Sequence, residues 1–196
     1  DLQIQTKWTD GSNSIKEMAE EAKRLDLEYI AITDHTKGLA FTGGLDEKKL
    51  LEQKREVEKI NKELHGITIL SGAEVNILKD GKLDISDKVL SELDVVGISV
   101  HSHFNLPKAD QTNRIIKSME NENVDVLFHP TGRQIHQREP YEVDIEKIIQ
   151  TAKDTGTILE IDAFPDRLDL KDEHIKLAVK SGVRLVIDSD AHNKNQ

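Results

Sequence analysis

The chain has 196 residues, a formal net charge of −10 and no cysteine. Its length suits one domain with a sizeable hydrophobic core, and no apolar run reaches the roughly 20 residues that a membrane span requires. Without cysteine there is no disulfide framework, so we expect a cytoplasmic protein with no membrane partner, whose metal ligands would be histidines and carboxylates. The acidic charge argues against sequence-independent wrapping of DNA but leaves metal-mediated phosphate contacts open.

Short apolar runs recur along the chain and predict buried parallel strands. The seven runs are Leu2–Gln5, Tyr29–Thr33, Ile67–Leu70, Val95–Val100, Val124–Phe128, Ile158–Ile161 and Arg184–Ile187. Amphipathic helices are predicted between them, with apolar stripes that begin at Ile15, Leu50, Val143 and Ile175. Ser14 and Glu17 have the spacing of a capping box, and three stripes are followed by a glycine typical of a helix end: Gly66, Gly156 and Gly182. The segment Ile77–Leu83, with its Asp-Gly pair, predicts a hairpin.

Histidines or carboxylates stand just after six of these runs. They are Asp34-His35, Glu74, His101, His129, Asp162 and Asp190-Ala191-His192. Their spacing is close to the roughly 30 residues of a βα unit and predicts a parallel β/α barrel, in which the carboxyl ends of the strands converge on one mouth. An open doubly wound sheet is the alternative, but it would divide these groups between two crevices.

The residues at this mouth predict a metal site. Any one of the histidines could equally be a hydrogen-bonded core residue, but the joint arrangement favours metal binding. Carboxylates and imidazoles without thiolates suit Zn²⁺, Mn²⁺ or Fe²⁺ better than Ca²⁺. The candidate ligands are His35, His101, His129, His192, Asp10, Glu74 and Asp190.

Seven ordered motifs cover essentially the whole chain: Asp1–Thr6, Thr9–Gly11, Ile32–His35, Gly72–Glu74, Ser99–Ser102, Phe128–Pro130 and Asp188–His192. In this order they resemble the motifs of the PHP (polymerase and histidinol phosphatase) family. The segments Phe104–Thr112 and His129–Arg133 resemble the PHP domain at the C-terminus of bacterial and archaeal family X DNA polymerases. The resemblance implies an α/β fold, a distorted TIM-like (β/α)7 barrel with a metal site at the C-terminal ends of the strands. It also implies that residues 1–196 form a single PHP domain of a longer chain.

The resemblance further implies three metal positions, occupied by two to three Mn or Zn ions per chain. The first position would use Gln3, Gln5, Glu74 and Asp190; the second Glu74, His101 and His129; and the third Asp10, His35 and His192. The family's opening motif is Asp-x-His-x-His, and the glutamines stand in place of its two histidines. A carboxamide binds metal more weakly than an imidazole, so we expect the first position to be weak or empty. Strand alternation still places Gln3 and Gln5 on the face of the site.

The implied activity is a metal-dependent 3′–5′ exonuclease acting on DNA 3′ ends, with 3′-phosphodiesterase or abasic-site endonuclease action, joined to an N-terminal polymerase portion. Glu74, Asp190 and Arg133 are the expected catalytic residues, and the expected substrate-binding cations are Arg133, Lys37, Lys108 and Arg167. One alternative is a small-molecule phosphatase of the histidinol phosphate type. Another is a structural or DNA-positioning module that has lost turnover, which the substitution at Gln5 favours.

Overall fold

A curled, wholly parallel sheet of six strands forms the centre of the computed structural model, which describes residues 1–196 except for the side chain of Ala40. The strands are β1 (Tyr29–Ile32), β2 (Thr68–Asn76), β3 (Val95–Ser99), β4 (Val126–Leu127), β5 (Ile158–Asp162) and β6 (Leu185–Asp188). Each strand pairs with the next one along the chain. The sheet therefore has the order of an incompletely closed β/α barrel, and all carboxyl ends lie at one rim.

Helices connect the strands, as parallel pairing requires. They are α1 (Ile15–Arg24), α2 (Glu47–Glu63), α3 (Asp87–Leu90), α4 (Lys108–Met119), α5 (Ile145–Thr155) and α6 (Asp172–Ser181). The capping box is confirmed, because the Ser14 hydroxyl accepts from the Glu17 N–H while the Glu17 carboxylate accepts from the Ser14 N–H. Gly156 and Gly182 end α5 and α6 with φ of 82° and 78°, in the left-handed region that glycine adopts easily.

The prediction of a strand at Leu2–Gln5 is wrong, since this segment forms only one bridge, between Ile4 and Ala191. It lies between the two sheet edges: the Ala31 N–H donates to the Asp1 carbonyl, and the Gln5 N–H donates to the Ala191 carbonyl. Other backbone N–H groups of this segment donate to side chains and not to a neighbouring strand: the Leu2 N–H donates to the Asp188 carboxylate and the Ile4 N–H to the Thr33 hydroxyl. Polar side chains thus replace regular strand pairing here.

Two further elements differ from the prediction. Helix α4 is not predicted, because its buried face includes Gln111, Thr112, Arg114 and Ser118, which interrupt the apolar stripe. The predicted strand Ile67–Leu70 is shorter than β2, which pairs with β1 up to Ser71 and then with β3 up to Asn76. The predicted hairpin is present as an antiparallel bridge between Ile77 and Leu83.

Alternation along the strands separates two sides of the sheet. Ile30 and Ile32 pack into a cluster with α1 and α2, whereas Ala31 packs with residues of the concave side. The concave cluster has few residues: Ala31, Val95, Val126 and Phe128, with Leu2, Leu70, Ile158 and Val186 against it. In β2 the same alternation gives Gly72, Glu74 and Asn76 the face opposite to Ala73 and Val75. Polar side chains therefore continue the concave side towards the carboxyl ends of the strands.

Candidate metal centre

Glu74 is the residue around which the site is built. Its side chain is fully buried in β2, and a bridge between His35 and Glu74 continues the pairing with the segment after β1. The Glu74 Oε1 atom lies 2.8 Å from His129 Nε2 and 3.0 Å from His101 Nε2, while Oε2 lies 3.1 Å from His35 Nδ1. One carboxylate thus contacts three imidazoles that come from three different connections.

Among the residues that the structure describes, two groups have the mutual spacing of metal ligands. Asp10, His35 and His192 form the first group, with the His35 and His192 Nε2 atoms 3.6 and 3.7 Å from Asp10 Oδ2. The second comprises His35, Glu74 and His101. The first matches the third predicted metal position. The second differs from prediction in that His35 replaces His129, although His129 also contacts Glu74.

The orientation of two imidazoles fits metal binding. His101 Nδ1 lies 2.8 Å from the Asn76 side-chain oxygen, and His192 Nδ1 lies 2.7 Å from the Asp190 carbonyl oxygen. Because both oxygens only accept, each Nδ1 carries a proton, and each Nε2 faces a carboxylate of the site, where a bound ion would take its lone pair. This is the arrangement in which proteins hold metal-binding histidines. His35 Nδ1 is buried and, though close to Glu74, lacks the alignment of a hydrogen bond.

A buried polar network fixes Asn76 beneath His101. The Asn76 amide donates to Thr36 Oγ1 and to Asp84 Oδ2, both at 2.9 Å, and Asp84 also accepts from the Thr36 hydroxyl and the Gly38 N–H. These residues were not among the predicted site residues. The alternation of β2, which gives Asn76 the same face as Glu74, is the signal that could have identified it.

Asp34 also lies beside the site, and the sequence analysis assigned it no role there. It is buried and accepts from the Thr6 hydroxyl at 2.6 Å, the Thr9 hydroxyl at 2.5 Å and the Gln53 amide at 2.6 Å. These bonds tie the loop that carries Asp10 to the end of β1. Asp34 therefore positions the loop that brings Asp10 to His35.

The glutamines of the opening segment are both fully buried. Gln5 Nε2 donates to Glu74 Oε2 at 2.8 Å, so Gln5 reaches the site as predicted, but through its amide nitrogen. Gln5 Oε1 and both amide atoms of Gln3 have no hydrogen-bond partner within the described part of the chain. The one side-chain hydrogen bond that joins these glutamines to the site is therefore made by an amide N–H.

Asp190 belongs to an ion-pair cluster with Arg167 and Asp162. Arg167 Nη2 lies 3.3 Å from Asp190 Oδ2, and Arg167 Nε lies 3.2 Å from Asp162 Oδ2. The Arg167 side chain is only 13% exposed. The predicted substrate cation Arg167 is thus a buried partner of two carboxylates.

The other predicted substrate cations lie in different surroundings. Lys37 pairs with Glu47 at 2.7 Å near the surface, and Lys108 is the exposed first residue of α4. The Arg133 guanidinium donates to the backbone carbonyl oxygens of Arg167 and Leu168. Their roles in substrate binding stay predictions.

Electrostatics divide the carboxylates of the site into two kinds. Burial alone would raise the pKa of Glu74, but His35 and His101 outweigh it and hold that pKa well below its usual range. Burial alone would lower the pKa of His35, yet Glu74 and Asp10 raise it to about 10. Burial raises the pKa of Asp190 to about 6, with the Glu74 charge adding to the effect, and raises that of Asp162 to about 7. Glu74 is therefore the ionised centre of the site.

The fold and the site together define a class: β/α half-barrels with a histidine–carboxylate cluster at the carboxyl ends of the strands. Residues 1–164 match the family model described as PHP domain. The chain therefore belongs to the PHP family, whose members are metal-dependent phosphoesterases. No helix in the described residues, 1–196 apart from the Ala40 side chain, has both the length and the apolar character to cross a membrane.

Relatives of two kinds are similar to this chain. The chain is 45% identical over 193 residues to the DNA polymerase/3′-5′ exonuclease PolX of Bacillus subtilis (strain 168). The aligned region covers 98% of this chain but only 34% of that relative. The chain is 34% identical to a protein of Thermoanaerobacter sp. (strain X514) described as a probable phosphatase, with 92% of this chain and 73% of the relative covered.

Solved structures share the fold at low sequence identity. A Listeria monocytogenes protein described as a candidate histidinol phosphatase aligns with a TM-score of 0.78 at 15% identity, over 100% of this chain and 96% of that one. The Lactococcus lactis histidinol phosphate phosphatase, complexed with Zn, L-histidinol and phosphate, aligns with a TM-score of 0.65 at 15% identity, over 100% of this chain and 87% of that one.

Proposed function

We propose that this chain hydrolyses phosphodiester bonds at DNA 3′ ends as a metal-dependent 3′–5′ exonuclease. The observation that carries the proposal is that two histidine–carboxylate groups share His35, whose Nδ1 lies 3.1 Å from Glu74. Divalent cations in such a site polarise phosphoryl oxygens and lower the pKa of bound water. We propose Mn or Zn as the ions, because the donors are imidazoles and carboxylates.

Within this proposal, Asp10, His35 and His192 hold one ion, and Glu74, His101 and His129 hold another. Asn76 and the Asp190 carbonyl fix the tautomers of His101 and His192, which keeps their Nε2 lone pairs towards the ions. Glu74 joins the two groups through its contacts with three imidazoles. Its ionised carboxylate also supplies negative charge that holds cations at the mouth.

The likeness to PolX supports DNA as the substrate. A protein with a net charge of −10 repels a polyanion, so the phosphate must be drawn to bound cations or to another part of the protein. We propose that residues 1–196 act as one PHP domain of a cytoplasmic chain whose N-terminal polymerase portion binds the DNA. On this proposal, Arg133 contacts the phosphate and Asp190 helps to orient the attacking water. The same site would serve 3′-phosphodiesterase or abasic-site endonuclease action.

A second candidate is phosphomonoester hydrolysis of a small molecule of the histidinol phosphate type. It is favoured by the relative described as a probable phosphatase, of which this chain covers 73%, against 34% of PolX. A third candidate is a module without turnover, favoured by the two glutamines of the opening segment.

The experiment compares two substrates with Mn²⁺ or Zn²⁺ present: 5′-labelled single-stranded DNA and histidinol phosphate. We expect shortening of the DNA from its 3′ end, and a loss of about 100-fold or more in His101→Ala, which removes a proposed ligand. His65→Ala, which changes an exposed histidine outside the site, is the matched control and should retain the wild-type rate. Release of phosphate from histidinol phosphate with intact DNA would favour the second candidate. Metal binding without turnover of either substrate would favour the third.

A further inference from the structure

The first predicted metal position is not arranged to hold a cation. Gln5 directs its NH₂ group, a hydrogen-bond donor, at Glu74, and Gln3 makes no polar contact among the described residues. A glutamine binds metal through its carbonyl oxygen, whereas Gln5 contacts Glu74 through its amide N–H.

A guanidinium contacts Asp190, one of the two carboxylates of this position. Arg167 contacts Asp190 at 3.3 Å and Asp162 at 3.2 Å, in surroundings that leave 13% of its side chain exposed. Arginine stays charged even in such surroundings; Arg167 donates a hydrogen bond to Asp190 and forms an ion pair with Asp162. Two buried carboxylates without a cation would be costly, and Arg167 supplies the compensating charge.

We infer that Arg167 takes the place of the first cation, so that this chain binds two metal ions and excludes a third. Arg167 pairs with Asp190 and Asp162 through a positive charge that belongs to the protein and does not dissociate. A divalent cation beside it would be repelled by the guanidinium and would have to compete for Asp190. Arg167 is thereby a positioning residue that holds Asp190, and the glutamines are compatible with it because neither brings an imidazole ligand. The inference rests on the proposed metal centre, and not on DNA being the substrate.

The test is the number of bound metal ions, measured by native mass spectrometry and elemental analysis after loading with Mn²⁺ or Zn²⁺. We expect two ions in the wild-type chain and two in Gln5→His, because Arg167 still excludes the third. We expect three in the double variant Gln5→His/Arg167→Gln, which provides an imidazole and removes the guanidinium. Arg184→Gln, at an exposed arginine, is the control for loss of one positive charge and should leave the count at two when combined with Gln5→His.

A second pair of variants protects the test against a loss of folding. Gln5→His/Arg167→Lys keeps a positive charge at position 167, so we expect it to bind two ions. Added metal should therefore raise its melting temperature less than it raises that of Gln5→His/Arg167→Gln. A third ion in the wild-type chain or in Gln5→His would overturn the inference. So would two ions in Gln5→His/Arg167→Gln, or equal thermal responses of the two double variants.

The count also distinguishes this inference from the proposed function. Two ions without DNA hydrolysis would support the role of Arg167 and contradict the exonuclease. Fewer than two ions in the wild-type chain would contradict the inference and the proposed metal centre together.

Discussion

Gly97, in the middle of β3, is the position where the smallest change should have the largest effect on the fold. A Cβ atom at Gly97 would lie 1.8 Å from Cε2 of Phe128, far below the 3.0 Å that real Cβ contacts essentially never undercut. Phe128 is fully buried on the concave side, so its ring must move against packed neighbours to make room for the methyl group. Overpacking of this kind typically costs 1–3 kcal/mol, and we expect Gly97→Ala to lower the free energy of unfolding by about 3 kcal/mol.

Urea unfolding followed by circular dichroism measures this effect. With a slope of about 3 kcal/mol per molar urea, the midpoint should fall by about 1 M. The effect should also reach the site, because His129 follows Phe128 directly and contacts Glu74 at 2.8 Å. We therefore expect weaker metal binding in Gly97→Ala as well.

The double variant Gly97→Ala/Phe128→Leu tests the cause. Removing the ring should restore about 1–2 kcal/mol relative to the sum of the two single changes, because the added methyl group then has space. Gly156→Ala is the control: its Cβ would have Arg184 Nη2 at 3.8 Å as its nearest neighbour, but φ is 82°. It should cost about 1 kcal/mol through backbone conformation, without rescue by Phe128→Leu. An unchanged midpoint in Gly97→Ala, or additive effects in the double variant, would refute the reasoning.

Three further predictions concern the site and the first helix. Asn76→Ala should weaken metal binding by about 10–100-fold, because His101 loses its fixed tautomer; competition with a chelating dye measures the loss. The control is Asn61→Ala, which breaks hydrogen bonds to the β2 backbone at Ile69 and should lower stability without weakening metal binding. Metal at 100 times its dissociation constant should stabilise the fold by about 2.7 kcal/mol in calorimetry, and a chelator should abolish the gain; an unchanged melting temperature would contradict binding to the native state. Ser14→Ala should cost about 1 kcal/mol. Hydrogen bonds from the Ser14 backbone and side chain lower the pKa of Glu17 to about 2, so its stabilising effect is fully present above its ordinary value of 4.5. The difference in stability between wild type and Glu17→Gln should therefore shrink as pH falls from 4.5 towards 2, and a constant difference would contradict the capping role.

Local sequence patterns predicted much of the framework correctly. The strand–helix alternation, the capping box at Ser14 and the glycines that end α5 and α6 all depend on neighbours within one or two helical turns. The prediction failed at α4, where polar residues on the buried face hide the helical period. It also failed at Leu2–Gln5, where distant side chains take the backbone amides of the segment.

The sequence by itself determined which residues reach the mouth of the half-barrel, since parallel strands present their carboxyl ends at one rim whatever the details of packing. The resemblance to the PHP family implied that Asp10, His35 and His192 share one metal position, and the structure brings these three side chains together. Only the tertiary structure decided how charges pair at that rim. Residue spacing cannot show that Gln5 donates to Glu74 or that Arg167 joins Asp162 to Asp190, because these contacts depend on side-chain directions and distances across separate strands.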